Sequence, residues 1–386
     1  MTTQVPDDYL FRGAWLRAAR REGEEFGRNL LALPVSSWRD TMSGDRQYRS
    51  YGALAFLLEA IHEDLHQHPA VAYERIVVVL EYVDRVEVPD PSFSAWLRGT
   101  AWREYANALR VTKNPKTAIG AAQTARKLFE TVASLTIDVA KSELVEAQAL
   151  REVGDYDRAL FLARQAAETF NEHGESQYYC FARTTEAWVL FGFHQYAEAL
   201  SIFSVTAADA EARGDKRTVA LCLYNAAECA RALGEMDRGR ELNRRAVELL
   251  NAVGVATDTP RVRWAHAVDI ARHGNVEAAV SELFTVQGEF LALGMNTDAA
   301  TAALDVVRLK VENGEEVGWL CRQLVQTFSE AGMTASAIEA LAYLREEAKR
   351  GTITANKIVH VRTHLNEVAR MPALIFLPPP NDEEER

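Results

Sequence analysis

Residues 144–174 read LVEAQALREVGDYDRALFLARQAAETFNEHG, and two spacings within them decide the fold. Gly154 and Gly174 stand 20 residues apart, and between them Ala159, Ala163, Ala166 and Phe170 recur at intervals of three and four. That interval is the period of a helix with one apolar face, and a glycine just past the last helical residue is the common left-handed cap. The grid runs on through Gly214, Gly234, Gly254, Gly274, Gly294 and Gly314, with His194 at the vacant node and Gly332 two residues early. Leu242, Ala246, Leu249 and Leu250 repeat the same apolar period. Each node predicts the end of a helix of about 16 residues, about 24 Å long.

A second pattern is independent of the glycines. Ala60, Ala106, Ala147, Ala187, Ala227 and Ala267 form one series, and Ala72, Ala118, Ala159, Ala199, Gly239 and Ala279 another, each member 12 residues after its mate. Both series advance by 46, 41, 40, 40 and 40 residues. Small side chains at matched positions of two successive helices let the backbones approach, so the pairs predict the contact inside a helical hairpin. The longer first interval holds EVPDPSF, where Pro89 and Pro91 break the helical pattern and lengthen one connection.

These residues resemble tetratricopeptide (TPR) repeats. The match is carried by Trp102, Ala106, Ala118 and Ala125, then by Ala147, Gly154, Tyr156, Ala159 and Ala166, and GDYDRAL is close to the family's turn between helices. A period of 40 rather than the usual ~34 implies about three extra residues per helix. HEAT and armadillo units share the longer period but do not usually show this glycine turn and small-residue spacing. Later units are degenerate: Thr206 and Val286 replace the last alanine, and the Val307/Trp319 unit lacks both small residues. The resemblance implies an all-α, right-handed superhelix (an α-solenoid) of antiparallel hairpins. It divides the chain into an N-terminal helical cap (1–47), the array (48–350), and a capping helix with a Pro-rich, acidic tail (351–386). Long-period TPR arrays of bacterial regulatory proteins are often attached to a DNA-binding or zinc-finger module, and some bind signal peptides. Here the chain starts almost directly in the array, so such a module is expected to be absent.

Both ends of the chain carry patterns that point to other roles. The segment WLRAARREGEEFGRNLLALPVSSWRD is basic enough to suggest a helix-turn-helix, but it lacks a Gly-centred turn followed by a polar recognition helix. Near the other end, ALIFL between prolines is too apolar to sit in water. It is expected to fold back on the last helix, the alternatives being a partner's groove or disorder.

Composition narrows the chemistry. The 386 residues carry 43 Lys+Arg against 55 Asp+Glu, a formal charge of -12, which argues against a nucleic-acid binder, since phosphate affinity needs clustered cations. Four cysteines without a CxxC pair suggest a reduced, cytoplasmic chain. No basic-then-apolar leader and no long uncharged apolar stretch points to export or a membrane. His62-Glu63-Asp64-Leu65-His66 does match the zinc-peptidase HExxH pattern. Asp64 inside it, the missing Gly-x-x-His extension and its place at a helix end favour an exposed helix terminus. His360 and His364, four apart without the Glu, are read as surface residues. No phosphate-binding glycine loop and no nucleophile elbow is present, so no cofactor, metal or catalytic residue is expected.

The resemblance also implies where a partner binds: a TPR superhelix turns its first helices to the concave side and uses residues near their second, fifth, ninth and twelfth positions. In this sequence those positions and their neighbours give Arg103, Asn107, Arg110, Gln148, Arg151, Trp188, Tyr224, Asn225, Glu228, Arg231 and Trp264, with Phe191 also at a twelfth position. Amides can bond an extended peptide's backbone, guanidiniums capture carboxylates, and aromatics anchor. The register suggests that cations gather on the concave face and acids on the outer one. The expected function is a non-catalytic scaffold or regulator that binds a protein or peptide in its groove. Alternatives are a peptide-sensing regulator, or an inhibitory or adaptor subunit of a protease, transcription factor or effector in bacterial signalling or defence. A zinc peptidase is the remote one.

Overall fold

The computed structural model describes residues 7–65, 68–112, 114–253, 258–368 and 374–379. Eighteen α-helices and two short 3-10 turns make up the regular structure, with no strand among the described residues. The chain divides into two compact units, Met1–Thr206 and Ala207–Arg386. The first holds α1 (Asp7–Leu31), α2 (Trp38–Gly44), α3 (Tyr51–Asp64), α4 (Pro69–Val83), α5 (Pro91–Val111), α6 (Pro115–Glu130), α7 (Thr136–Val153), α8 (Tyr156–Glu172) and α9 (Ser176–Gly192). Helix α10 (Tyr196–Ala212) crosses the division. The second holds α11 (Lys216–Ala232), α12 (Met236–Val253), α13 (Asp258–Arg272), α14 (Val276–Ala292), α15 (Asn296–Glu312), α16 (Gly318–Glu330), α17 (Ala335–Arg350) and α18 (Ala355–Val368).

The glycine grid does what its spacing predicts. At the α7–α8 turn Gly154 sits at φ 85°, its N–H donates to Arg151 O at 3.1 Å, and Asp155 N–H reaches back to Leu150 O at 3.0 Å. The Asp155 carboxylate then accepts the Arg158 N–H at 3.4 Å, so one short turn both caps α7 and starts α8. Asp215 and Asn275 repeat that N-cap after Gly214 and Gly274. His194 adopts the same left-handed conformation at φ 61°, with its Nδ1 2.6 Å from the Tyr196 hydroxyl. Gly254 lies outside the described residues. A Cβ on Gly154 would meet nothing within 4 Å. Gly154→Ala should therefore cost only the backbone conformation, about 1–2 kcal/mol in urea unfolding, and a neutral result would show that the turn relaxes to another conformation.

From α3 to α9 and from α11 to α18 consecutive helices pack in sequence, and first helices of successive hairpins touch: α5 on α7, α7 on α9, α13 on α15. Ala106, Ala118, Ala147, Ala159, Ala267 and Ala279 are fully buried, while Ala60 is only half-buried. The closeness is clearest at Gly239, where a Cβ would stand 3.1 Å from the carbonyl oxygen of its partner Ala227. Larger plugs fall on the same period at Phe129, Phe170, Leu250 and Phe290, with the small Ala210 at the intervening node, and all are wholly enclosed. Burying each large plug contributes roughly 1.5–3 kcal/mol.

At the N-terminal end, α1 packs on α3 by direct backbone approach, since a Cβ on Gly23 or Gly52 would run into the facing main chain. Helix α1 passes uninterrupted through residues 15–31, and the rest of the WLRAARREGEEFGRNLLALPVSSWRD stretch holds the 3-10 turn Val35–Ser37 and the start of the seven-residue α2. At the other end residues 374–379 are extended and alternate: Phe376 is buried while Ile375 and Leu377 are 72% and 73% exposed. Phe376 packs against Tyr343, His360 and His364, and His360 Nε2 lies 2.8 Å from Leu377 O. The apolar segment thus folds back on the last hairpin, and the expectation for the histidines is corrected. His364 is buried beside Phe376, 2.9 Å from Ser336 Oγ, because the returning segment covers the helix face that the sequence left open. No described helix is long and apolar enough to cross a membrane.

Candidate functional site

In the first unit the candidate residues lie on α5, α7 and α9. Arg103 does not face outward: its guanidinium donates to Glu104 at 3.1 Å and to Asp138 at 3.1 Å, over the Phe129 ring. Glu104, only 1% exposed, is the hub. His62 Nδ1 lies 2.8 Å from it, and Asn107 donates to it at 3.3 Å. Burial alone would raise the Glu104 carboxyl, but His62 and Arg103 hold it down at about 2. Glu104 in turn raises His62 above its ordinary value.

This coupling has a definite sign. A raised histidine contributes stability that is complete below its unfolded pKa of about 6.5 and fades as pH rises through the higher folded value. Glu104 contributes stability present above about 4.5 and lost as pH falls toward 2. The first unit is therefore expected to be most stable between about pH 4.5 and 6.5 as far as this pair is concerned. His62→Gln should flatten the decline in thermal midpoint between pH 6 and 9, and an unchanged pH slope would refute the coupling.

The same contacts involve the first residues of the HExxH stretch. His62 is engaged by Glu104, Asp64 pairs with Arg75, and Glu63 is exposed; His66 lies outside the described residues. Among the described residues no group of three or more His, Cys, Asp or Glu is placed to hold a metal.

Further along the same faces, Arg110 and Arg151 converge on one carboxylate. Arg110 Nη1 stands 3.4 Å and Arg151 Nη2 3.8 Å from Glu152 Oε1. The Arg151 guanidinium also lies over Trp188, 5.7 Å from the ring centre. Trp188 meets Phe191 edge-on at 5.3 Å and packs on Phe203 behind it. Gln148 donates to Thr185 at 3.3 Å. Arg110, Glu152, Arg151, Trp188 and Phe191 thus form one continuous half-buried row over three successive first helices.

In the second unit the candidates are drawn inward. Arg231, 9% exposed, is clamped between Glu228 of its own helix and Asp269 of α13, the latter at 2.8 Å. Buried Asn243 joins Asp269 at 3.4 Å. Asn225 is buried, and burial followed by Glu228 pushes the Tyr224 hydroxyl up to about 12. Trp264 Nε1 donates to Asp305 at 2.8 Å, and Arg362 of α18 lies over its ring while binding both Asp305 oxygens at 3.0 and 2.7 Å.

The expected segregation of charge is therefore corrected: acids share the first helices with the cations. Glu104, Glu152, Asp269 and Asp305 were not among the candidates, because fixed repeat positions select side chains by register and pass over the acids between them. The available signal was that an arginine turned toward a neighbouring helix needs a carboxylate there.

No family model and no curated protein sequence matches the chain. Solved structures do. One is a Rap protein complexed with competence and sporulation factor, with TM-score 0.56 and 13% identity over 87% of this chain and 98% of that one. Another is the Rap conjugation gene regulator of plasmid pLS20 with a Phr peptide, at TM-score 0.56 and 10% identity over 85% and 99%. A third is a signal-transduction ATPase with a tetratricopeptide repeat sensor from Pyrococcus horikoshii, at TM-score 0.51 and 13% identity over 85% of this chain and 53% of that one. The chain has the TPR-like helical-repeat fold that these proteins share.

Proposed function

We propose that the protein is a non-catalytic regulator that binds a peptide, or a peptide segment of a partner protein, on the first-helix face of its TPR-like repeats. The observation that carries this reading is the row of Arg110, Glu152, Arg151, Trp188 and Phe191, half-buried and contiguous across α5, α7 and α9. Rigid helices hold guanidinium and aromatic groups in a line, which suits an extended chain whose side chains alternate between charge and apolar surface. Two of the structurally similar proteins, one bound to competence and sporulation factor and one to a Phr peptide, support the same use of the fold. In this reading residues 48–350 are the working array, residues 1–47 and 351–386 its ends. Four buried cysteines, none of them in a disulfide, support a reducing, cytoplasmic setting.

The test is selection from a random dodecapeptide display library on the full chain, followed by fluorescence anisotropy with resynthesised peptides. Enriched peptides should bind, and Trp188→Ala should weaken them about 30-fold with helix content unchanged, the loss typical of an aromatic anchor. If no peptide is enriched over a bare surface, or Trp188→Ala keeps full affinity, this reading is wrong.

A further inference from the structure

The segment 374–379 reaches the last hairpin deeply at one point. Phe376 is 3% exposed, while its neighbours Ile375 and Leu377 stand out in solvent and Leu374 packs on the core only in part. The Phe376 ring meets three others: Tyr343 of α17 at 5.6 Å, and His360 and His364, one turn apart on α18, at 5.7 and 5.0 Å. Pro378 and Pro379, which follow, have no N–H to donate. The hold on the hairpin therefore rests chiefly on one aromatic plug and the Leu377 carbonyl.

The two histidines meet that plug in different ways. His360 is half-buried with Nε2 2.8 Å from Leu377 O, a bond that the Nε2–H tautomer and the charged ring can both donate. His364 is 6% exposed, with Nε2 2.9 Å from Ser336 Oγ and its ring against Phe376. Burial holds its pKa below the ordinary histidine value of about 6.5. The charged groups that face it are Glu339 of α17 and, on its own helix, Glu367 and His360. Asp305, the acid of α15 that reaches α18, is engaged by Arg362, and residues 374–379 carry no titratable side chain.

We infer that residues 374–379 are a proton-released strap, docked on the last hairpin while His364 is neutral and freed when His364 takes a proton. A charged imidazole enclosed beside an aromatic ring loses its hydration, so protonation and docking oppose each other. Docking is unimpaired above the ordinary histidine value of about 6.5 and weakens as pH falls from there through the lower docked value. Release bares Tyr343 and the α17–α18 surface that Phe376 seals. His360 anchors the strap, and His364 senses the proton.

The test places 4-fluorophenylalanine at position 376 of the full chain and follows its fluorine resonance from pH 8 to pH 5. An enclosed and a free resonance are expected, the ratio of free to enclosed rising roughly threefold or more between pH 7.5 and 5.5. His364→Gln, which keeps a polar side chain that cannot charge, should hold that ratio constant. His360→Gln should shift it toward the free form at every pH and leave the pH dependence in place, which separates anchor from sensor. Histidine NMR of Phe376→Ala gives the reciprocal reading: His364 should titrate nearer to about 6.5 than in the unaltered chain, with helix content unchanged. A ratio that ignores pH, a pH dependence that survives His364→Gln or vanishes with His360→Gln, or a His364 titration indifferent to Phe376 would overturn the strap.

Discussion

Asp305→Ala is expected to destabilise the second unit by about 3–5 kcal/mol in urea unfolding, the loss usual when one partner is removed from a buried ion pair. Asp305 is 1% exposed and accepts from Trp264, from both arms of Arg362 and from Arg308. Truncation leaves the indole N–H without this acceptor and two guanidiniums without their shared charge. Because Arg362 belongs to α18, the variant should also lose hydrogen-exchange protection in α18 before α14. The double variant Asp305→Leu/Arg362→Met, which removes charge on both sides and keeps volume, should recover much of the loss. A single-variant effect below 1 kcal/mol would mean that water replaces the carboxylate and that α18 is held by its apolar face alone.

Glu104→Ala should cost about 3 kcal/mol in the first unit, the order of loss usual when one partner is removed from a buried ion pair. The residue ties α3 to α5 through His62 and fixes Arg103 and Asn107 on α5. Glu104→Gln keeps the shape and an acceptor but not the charge, so it should recover part of the stability and none of the histidine-linked pH dependence. Equal loss for Ala and Gln, with the pH slope retained, would assign the effect to packing and not to charge.

The fold was legible because it is written in positions that tolerate few residues. A left-handed cap favours glycine, so Gly154, Gly174 and Gly214 announce helix ends, and close backbone approach admits only the smallest residues, so Ala227 and Gly239 announce the hairpin contact. The candidate site was legible only in part. Register brings Arg110, Arg151 and Trp188 onto one row, as the repeat positions imply. It cannot say which arginine is matched by an acid, because that depends on rotamers and on neighbours such as Asp269 and Glu152 that lie a helix away or beside a repeat position. Trp264 illustrates the same limit, its ring being covered by Arg362, almost 100 residues further along the chain.

The most direct test of the central claim is hydrogen-exchange mass spectrometry of the full chain with and without a peptide recovered by selection. Protection is predicted on α5, α7 and α9, centred on the turns after Arg110 and Arg151 and on the segment around Trp188, with α6 and α8 unchanged. Protection confined to α6, α8 or the chain ends, with the first helices exchanging as before, would contradict binding on the first-helix face.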